Sequence, residues 1–333
     1  MESVPTCPLC GTAEPRRVNA VRERIMETGE TFTIVRCRHC GLFRTDPRPT
    51  KEEIGRYYPD HYGPYQPVDA LPESWIGPGV KGMLRRWTLT AHYGYRLANL
   101  GGLRESLIAA VTWPVRRRYF DFPPFRPGGR LLEVGCATGR RLALFRSLGW
   151  DVQGVELSEQ ACREAKARYG LRVFRGELGQ ASLPEASVDV VVMSHVIEHV
   201  HEPIATLREV RRVLRAGGLL VLETPNAGSL GLRVFGDFRY EWDVPRHLFL
   251  FDRQTLGACC VRAGLRLRHV AYASYARDWN RSLAYRYADR GRTRMASWLG
   301  GDPLALRWLF QPFGKALSWA RVSGRMIAVA SRE

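Results

Sequence analysis

The sequence predicts an α/β fold: a mostly parallel sheet with helices on both faces, a small metal-bound module in front and helical attachments at the flanks. Three observations predict it. From Arg130 onward, short β-rich runs alternate with helical ones, as in LLEV then RRLALFRSLG, and VQGVE then SEQACREAKARYG, which is the pattern of strands covered by helices. A glycine-bracketed turn, Gly135 to Gly139, follows the first run, and an acid, Glu156, ends the second. Two C-x-x-C-G knuckles stand near the start.

The 333 residues are 45% apolar, enough for a large core with attachments. MESVPTCPLC lacks a charged start and an apolar h-region, and no stretch approaches the ~18 apolar residues of a membrane span; a cytoplasmic protein is expected, with peripheral attachment to the inner face of a membrane left open. The net charge is +17, and it is localised: residues 81–129 carry +7 and residues 262–333 carry +10, while the rest sums to zero. That placement argues against a nucleic-acid partner, because the cysteine-bearing residues 1–80 have 10 basic and 11 acidic side chains and no aromatic and basic motif of an RNA module appears.

Cys7, Cys10, Cys37 and Cys40 form the two knuckles. Each turn can aim two thiolates at one ion, and four sulfurs close a tetrahedral structural Zn²⁺ site with no position left for substrate. A module over residues 1–55 has little core of its own, so zinc would contribute on the order of 10 kcal/mol to folding it. The other reading is a pair of disulfides, which a reducing compartment disfavours. Cys136, Cys162, Cys259 and Cys260 have no ligand spacing and read as small buried hydrophobes. Residues 56–80, with Pro64, Pro67, Pro72 and Pro78, read as a linker.

The core is expected over residues 130–275, with a basic helical flank at 81–129, an insertion at 276–322 and a final strand within 323–333. LRVFRG, VDVVVMS, PIATLREVRRVLRAGG and LLVLET continue the alternation, and LRLRHVAYA and GRMIAVAS are expected as antiparallel sixth and seventh strands. Ligands of such sheets bind beyond the carboxyl ends of the strands. Gly135 and Gly139 let backbone approach a ligand while the next helix offers its positive end to a carboxylate. Glu156 lies 21 residues after Gly135, placed to accept both hydroxyls of a ribose. The spacing is not G-x-G-x-x-G, so a nicotinamide dinucleotide is disfavoured and another adenosine-containing ligand is indicated.

At EVGCATG, Glu156, GEL (Gly176 to Leu178) and EHV followed by LREVRRVLRAGGLLVLETPN, the chain resembles the class I S-adenosylmethionine-dependent methyltransferases. The resemblance implies a Rossmann-like seven-stranded methyltransferase sheet. It also implies S-adenosyl-L-methionine as cofactor: Glu133, Gly135, Cys136, Ala137, Thr138 and Gly139 at its methionine portion, Glu156 with Leu157 at the ribose, Glu177 and Leu178 at the adenine edge, and Ser194 and His195 closing the site. Ala137 stands where the family often has a middle glycine. CRHCGLFRTDPRP with YYPDHY in front, and PRHLFLFDRQTL behind, resemble bacterial methyltransferases with an N-terminal zinc ribbon from sugar and surface-polysaccharide pathways. That implies a sugar or glycolipid acceptor, methylated at oxygen.

Methyl transfer needs an aligned acceptor and a base near neutral pKa. SHVIEHVHEP, residues 194–203, offers His195 after the fourth strand, and GDFRYEWDVPRH, residues 236–247, offers His247. Either is expected as the base, with Tyr240 and Asp243 as helpers. A metal reading stands beside this one: His195, Glu198 and His199 fall on one helical face, with His247 as a fourth ligand, similar to the Glu-x-x-Glu-His cluster of the ubiquinone-pathway and small-RNA methyltransferases. His201 and Glu202 read as a solvated cap of the helix from Pro203.

Both basic flanks mix Arg with Trp, Tyr and Leu. In DPLALRWLFQPFGKALSWAR, Arg307, Gln311, Lys315 and Ser318 recur at helical spacing while Leu304, Trp308, Leu309, Phe313, Leu317 and Trp319 fill the other sides. Such a helix can lie on an anionic membrane surface or pack inward as a lid. Rival functions are a metal-assisted O-methyltransferase of a quinone-like lipid, an RNA methyltransferase and a scaffold that binds the donor without chemistry.

Overall fold

Val188–Ser194 reads VDVVVMS and is buried at every position but the last; a strand apolar on both faces belongs in the middle of a parallel sheet. It lies there. The structure, a computed structural model, describes residues 1–58, 75–116 and 121–333. The proline-rich stretch expected as a linker falls largely outside those residues, as does most of YYPDHY.

The chain runs β1 (Pro15–Arg22), β2 (Thr31–Cys37), β3 (Phe43–Thr45), α1 (Val80–Tyr93), α2 (Leu103–Thr112), β4 (Arg130–Val134), α3 (Arg140–Ser147), β5 (Asp151–Glu156), α4 (Glu159–Tyr169), β6 (Val173–Arg175), β7 (Val188–Ser194), α5 (Pro203–Val213), β8 (Leu214–Pro225), α6 (Leu230–Phe235), β9 (Phe249–Leu250), α7 (Arg253–Arg262), β10 (Leu265–Ala273), α8 (Ala276–Ala288), α9 (Thr293–Gly300), α10 (Leu304–Trp319) and β11 (Arg325–Arg332). Local chemistry sets many boundaries. Ser158 caps α4 by accepting from the Ala161 N–H, Pro203 opens α5, and Asp252 and Thr255 form a capping box on α7.

The main sheet has seven strands in the order β10-β11-β8-β7-β4-β5-β6, the Rossmann-like methyltransferase sheet that the sequence predicts. One expectation is corrected. β11 is antiparallel to both β10 and β8, so β10 runs with the parallel strands and β11 alone is reversed, inserted between them. A second difference concerns VLRAGG. α5 stops at Val213 because Leu214 is already extended (φ −67°, ψ 137°), and Gly217, at φ +68°, lies in the irregular stretch of β8 between the Val188–Leu214 and Val190–Leu219 pairs.

The N-terminal strands form a second sheet, β1-β2-β3-β9, whose last member comes from beyond the parallel strands. Cys7, Leu9, Cys37 and Leu42 pack in one buried cluster with Ile197, Leu248, Phe249, Phe251 and Cys259. The two sheets therefore share a core. His201, expected in solvent, is buried: its Nε2 pairs with the Pro49 carbonyl at 2.9 Å and its own carbonyl accepts from Arg48, tying the N-terminal segment to the loop before α5. Among the described residues no helix is long and apolar enough to cross a membrane.

Candidate active site

The carboxyl ends of β4, β5 and β7 meet at one rim. β4 pairs with β5 and β7 on either side, with Glu133 opposite Gly154 and Val192. The turn after β4 needs its glycines: Gly135 has φ +70° and an added Cβ would stand 2.4 Å from Val196, and Gly139 has φ +75° with Leu171 2.6 Å from the same position. Ala137 sits between them at φ +47°, a conformation that costs a non-glycine residue on the order of 1 kcal/mol. Its N–H donates to Glu156 Oε2 at 2.9 Å, and the Ser158 N–H donates to Oε1 at 2.8 Å. Each carboxylate oxygen keeps a lone pair for a hydroxyl donor. Burial raises the Glu156 pKa against the pull of these backbone groups.

Glu133 is buried, and its Oε2 has no hydrogen-bond partner; the nearest cation is Arg141, 4.0 Å from Oε1. Burial raises its pKa to about 7, with Arg141 opposing and Glu156 reinforcing. A buried oxygen left unsatisfied costs about 1–3 kcal/mol, and a ligand ammonium at this rim would satisfy it. These two acids fit the amino-acid and ribose ends of S-adenosylmethionine.

Other expected contacts divide. Cys136 points its sulfur back toward Gly154, leaving only backbone for a ligand. Thr138 and Leu178 are buried, while Leu157 is exposed at the end of β5. Glu177 pairs with Lys51 at 3.0 Å and stands at the N-cap of a short 3-10 turn. Ser194 donates to Glu223 Oε2 at 3.1 Å.

His195 also has positive φ, +54°, and strain of this kind in a non-glycine residue is concentrated at functional sites. Its Nδ1 lies 2.9 Å from Glu198 Oε1. Glu198 is fully buried and takes a second hydrogen bond from Thr224 at 3.0 Å. A carboxylate accepts, so Nδ1 carries hydrogen and Nε2 is the nitrogen whose proton can change. Nε2 has Arg325 Nη1 at 3.0 Å and Glu223 Oε1 at 3.5 Å. These two neighbours disagree: the guanidinium favours a lone pair on Nε2 and the carboxylate favours a proton. Arg325 pairs with Asp278 through Nε and Nη2, at 2.9 and 2.8 Å, which leaves Nη1 to donate to Nε2 of the neutral ring; protonation of Nε2 gives up that bond and turns the new N–H to Glu223. Burial works against the charged ring, but hydrogen bonds to Glu198 and Glu223 raise its pKa to about 9. The same pairing brings Glu198 and Glu223 down to about 2 against their own burial.

Glu223, Thr224, Asp278 and Arg325 escaped sequence reading. Arg325 and Glu223 are 102 positions apart and meet because β11 inserts beside β8 with Arg325 opposite Pro225. Asp278 comes from α8, in the insertion. Only Glu223 had a local signal, as an acid ending a strand.

His247 is buried, with Nδ1 on the Glu241 carbonyl at 2.8 Å and its ring 4.7 Å from that of His199. His199 Nδ1 pairs with the Arg246 carbonyl at 2.9 Å, and burial with the His247 charge lowers its pKa to about 4. The structure thus separates the two candidate bases: His195 faces the rim, and His247 is enclosed behind it. Ligand atoms of Glu198, His199 and His247 lie within 4.8 Å of one another; His195, engaged with Glu198 and Arg325, is not in that group. Asp243 binds Arg246 at 2.7 Å and stands 3.7 Å from His247 Nε2. Tyr240 bonds to Arg281 at 2.7 Å. Tyr240 and Asp243 line a narrow crevice with Arg22, Arg24, Arg239 and Tyr285, between β1 and α8.

The four N-terminal cysteines are free thiols with Sγ separations of 3.5 Å for Cys7–Cys40 and for Cys10–Cys37, and all four lie within 4.8 Å. Bonds of ~2.3 Å in a tetrahedron place sulfurs about 3.8 Å apart, so the cluster fits a metal ion and excludes disulfides at ~2.05 Å.

Known proteins are similar to this chain over its central part. A family model described as a methyltransferase domain matches residues 113–270. A probable S-adenosylmethionine-dependent methyltransferase of Mycobacterium tuberculosis is 40% identical over 97 residues, 29% of this chain and 35% of that protein. The malonyl-[acyl-carrier protein] O-methyltransferase of Serratia marcescens is 31% identical over 156 residues, 46% of this chain and 60% of the relative. A ubiquinone biosynthesis O-methyltransferase of Paraburkholderia phymatum is 29% identical over 34% of this chain and 51% of its own. The chain thus spans from about a third to 60% of these relatives' lengths. Among solved structures, a SAM-dependent methyltransferase from Archaeoglobus fulgidus is similar at 18% identity and a TM-score of 0.44, over 67% of this chain and 93% of that one.

Proposed function

We propose that this chain, which carries a methyltransferase domain, methylates an acceptor oxygen with S-adenosylmethionine as donor, His195 removing the acceptor's proton. The observation that carries this reading is His195 itself, with Nδ1 pinned by buried Glu198 one strand away from the unpartnered oxygen of Glu133. The donor, when bound, supplies a methyl group already activated on a sulfonium. What the chain adds is alignment and proton removal. Glu156 holds ribose hydroxyls, Glu133 faces the ammonium end, and His195 Nε2 takes the acceptor proton while Glu198 holds the ring and offsets its charge.

The acceptor in this reading is a sugar hydroxyl on a nucleotide- or lipid-linked precursor of a surface polysaccharide or glycolipid. The resemblance of CRHCGLFRTDPRP and PRHLFLFDRQTL to methyltransferases of sugar and surface-polysaccharide pathways supports it. The cysteine cluster holds Zn²⁺ in a structural role. Labelled donor incubated with carbohydrate, lipid and RNA fractions tests the class of acceptor, and label confined to RNA would overturn it.

Two results are expected directly. Glu156→Gln should weaken donor binding by about 10- to 100-fold, since hydrogen bonds to a charged group contribute roughly 1.5–3 kcal/mol; calorimetry with the donor checks this, and unchanged affinity would remove Glu156 from the site. The pH profile follows from His195. A base raised to about 9 is mostly protonated at neutrality, so kcat/KM should climb about tenfold per pH unit up to that value. Glu223→Gln, removing one of the groups that raise it, should move the limb to lower pH. The stability sign is opposite: the ion pairs of His195 contribute fully below about 6.5 and are lost as pH rises through about 9.

A second reading, metal-assisted transfer to a quinone-like lipid, is favoured by one observation. His199 and His247 each commit Nδ1 to a backbone carbonyl, the arrangement that frees Nε2 for an ion.

A further inference from the structure

α10 has an outward face that the protein leaves apolar. At about 100° per residue, Leu304, Trp308, Leu309, Pro312, Phe313 and Trp319 sweep roughly half of the helix circumference, and their exposure ranges from 42% at Phe313 to 73% at Leu309 and 75% at Trp319. The opposite side anchors the helix. Gly314 and Leu317 are buried, Phe310 packs on Trp279 of α8 at 5.7 Å, and Phe313, at the edge between the two sides, reaches the same ring at 5.1 Å. Arg307, Gln311 and Lys315 form one rim. The lid alternative requires the tryptophans to point inward, and they point out. Trp298 and Met295 of neighbouring α9 are exposed as well.

Charge selects the occupant. Between Arg290 and Arg321 the chain has Arg290, Arg292, Arg294, Arg307, Lys315 and Arg321 against a single acid, Asp302, which stands 3.7 Å from Arg307. Two copies meeting through this face would set the same basic rims against each other, and like charges brought together across an interface are costly. An anionic lipid surface has the complementary sign, and it takes tryptophan rings at headgroup depth.

We propose that α10 is a membrane-surface anchor that lies in the interface of an anionic bilayer, inserting Leu304, Trp308, Leu309 and Trp319 while Arg307 and Lys315 contact lipid phosphates. The chain then binds one leaflet from the side through this helix. The inference is independent of the methyl-transfer reading, because its readout is lipid binding.

The test is sedimentation of the full chain with phosphatidylcholine vesicles prepared with and without phosphatidylglycerol. Binding is expected only to the anionic vesicles and should weaken with salt. Trp308→Ser with Leu309→Ser should lower the partition constant more than about tenfold. Arg307→Glu with Lys315→Glu should lower it at least fivefold for each cation removed, about 25-fold together. All four positions face solvent, so wild-type melting is expected, and the charge pair supplies a readout that removes no apolar contact. A chain left in the supernatant with anionic vesicles overturns the proposal. So does binding unchanged in both variants, or light scattering that shows a dimer which the serine variant alone converts to monomer.

Discussion

Replacing His195 by alanine should lower kcat by about 10²- to 10⁴-fold while donor affinity stays near wild type. At this rim Glu133, raised to about 7, is committed to the donor's ammonium in the proposed reading, and the other described residues are poor substitutes for Nε2. Arg325 carries no base, and Glu223 and Glu198 have pKa values near 2, too low to hold an acceptor's proton at neutrality. In the proposed reading donor contacts run instead through Glu133, Glu156 and the turn between Gly135 and Gly139, none of which uses the imidazole. The variant leaves buried Glu198 without its partner at 2.9 Å, so some stability is lost with activity, as happens when one member of a buried pair is removed. His195→Asn keeps a polar group there and separates the effects. Single-turnover rates with calorimetric donor affinity check the prediction. A kcat close to wild type in both variants would pass the proton-removing role to another group.

Removing the thiolates should have the largest effect on folding. Chelation, or Cys37→Ser with Cys40→Ser, is expected to cost on the order of 10 kcal/mol of metal-linked stability. The damage should spread past residue 55. β9 completes the N-terminal sheet, and Cys7, Leu9, Cys37 and Leu42 share a cluster with Leu248 and Phe251, so loss of the ribbon uncovers apolar surface on the main domain and frees the segment from Asp243 to His247. Circular dichroism, melting and metal content read this out. A chelated protein that melts like the untreated one would show that the cysteines do not bind a structural ion. Metal analysis of the serine variant also decides the second reading: one equivalent retained supports Glu198, His199 and His247 as ligands, and none removes them.

Local sequence carried much of this. The turn and acid of the proposed donor rim, and the cysteine cluster, were legible because each part is short: glycines at fixed spacing after a strand, an acid at the end of the next, two knuckles of cysteines. Even the substitution of Ala137 for a glycine was visible, though not that the alanine would be held at φ +47°. His195 was legible as a residue type after a strand; its state was not. The carboxylates that set its pKa are Glu198, three residues on, and Glu223, on the adjacent strand, and the cation opposing them comes from β11. The solvated-cap reading of His201 failed because burial there depends on Pro49, 152 positions away in the chain.

What the sequence determined by itself was everything governed by period and spacing: the alternation that makes the sheet, the turn and acid at its rim, and the thiolate pairs. Tertiary structure alone decided the direction of β10, the union of the two cores, which of two histidines faces the rim, and which side of α10 stays uncovered. The physical reason is common to all four. Each depends on contacts between groups distant along the chain, whose separation is fixed by strand order and packing and leaves no trace in the residues between them.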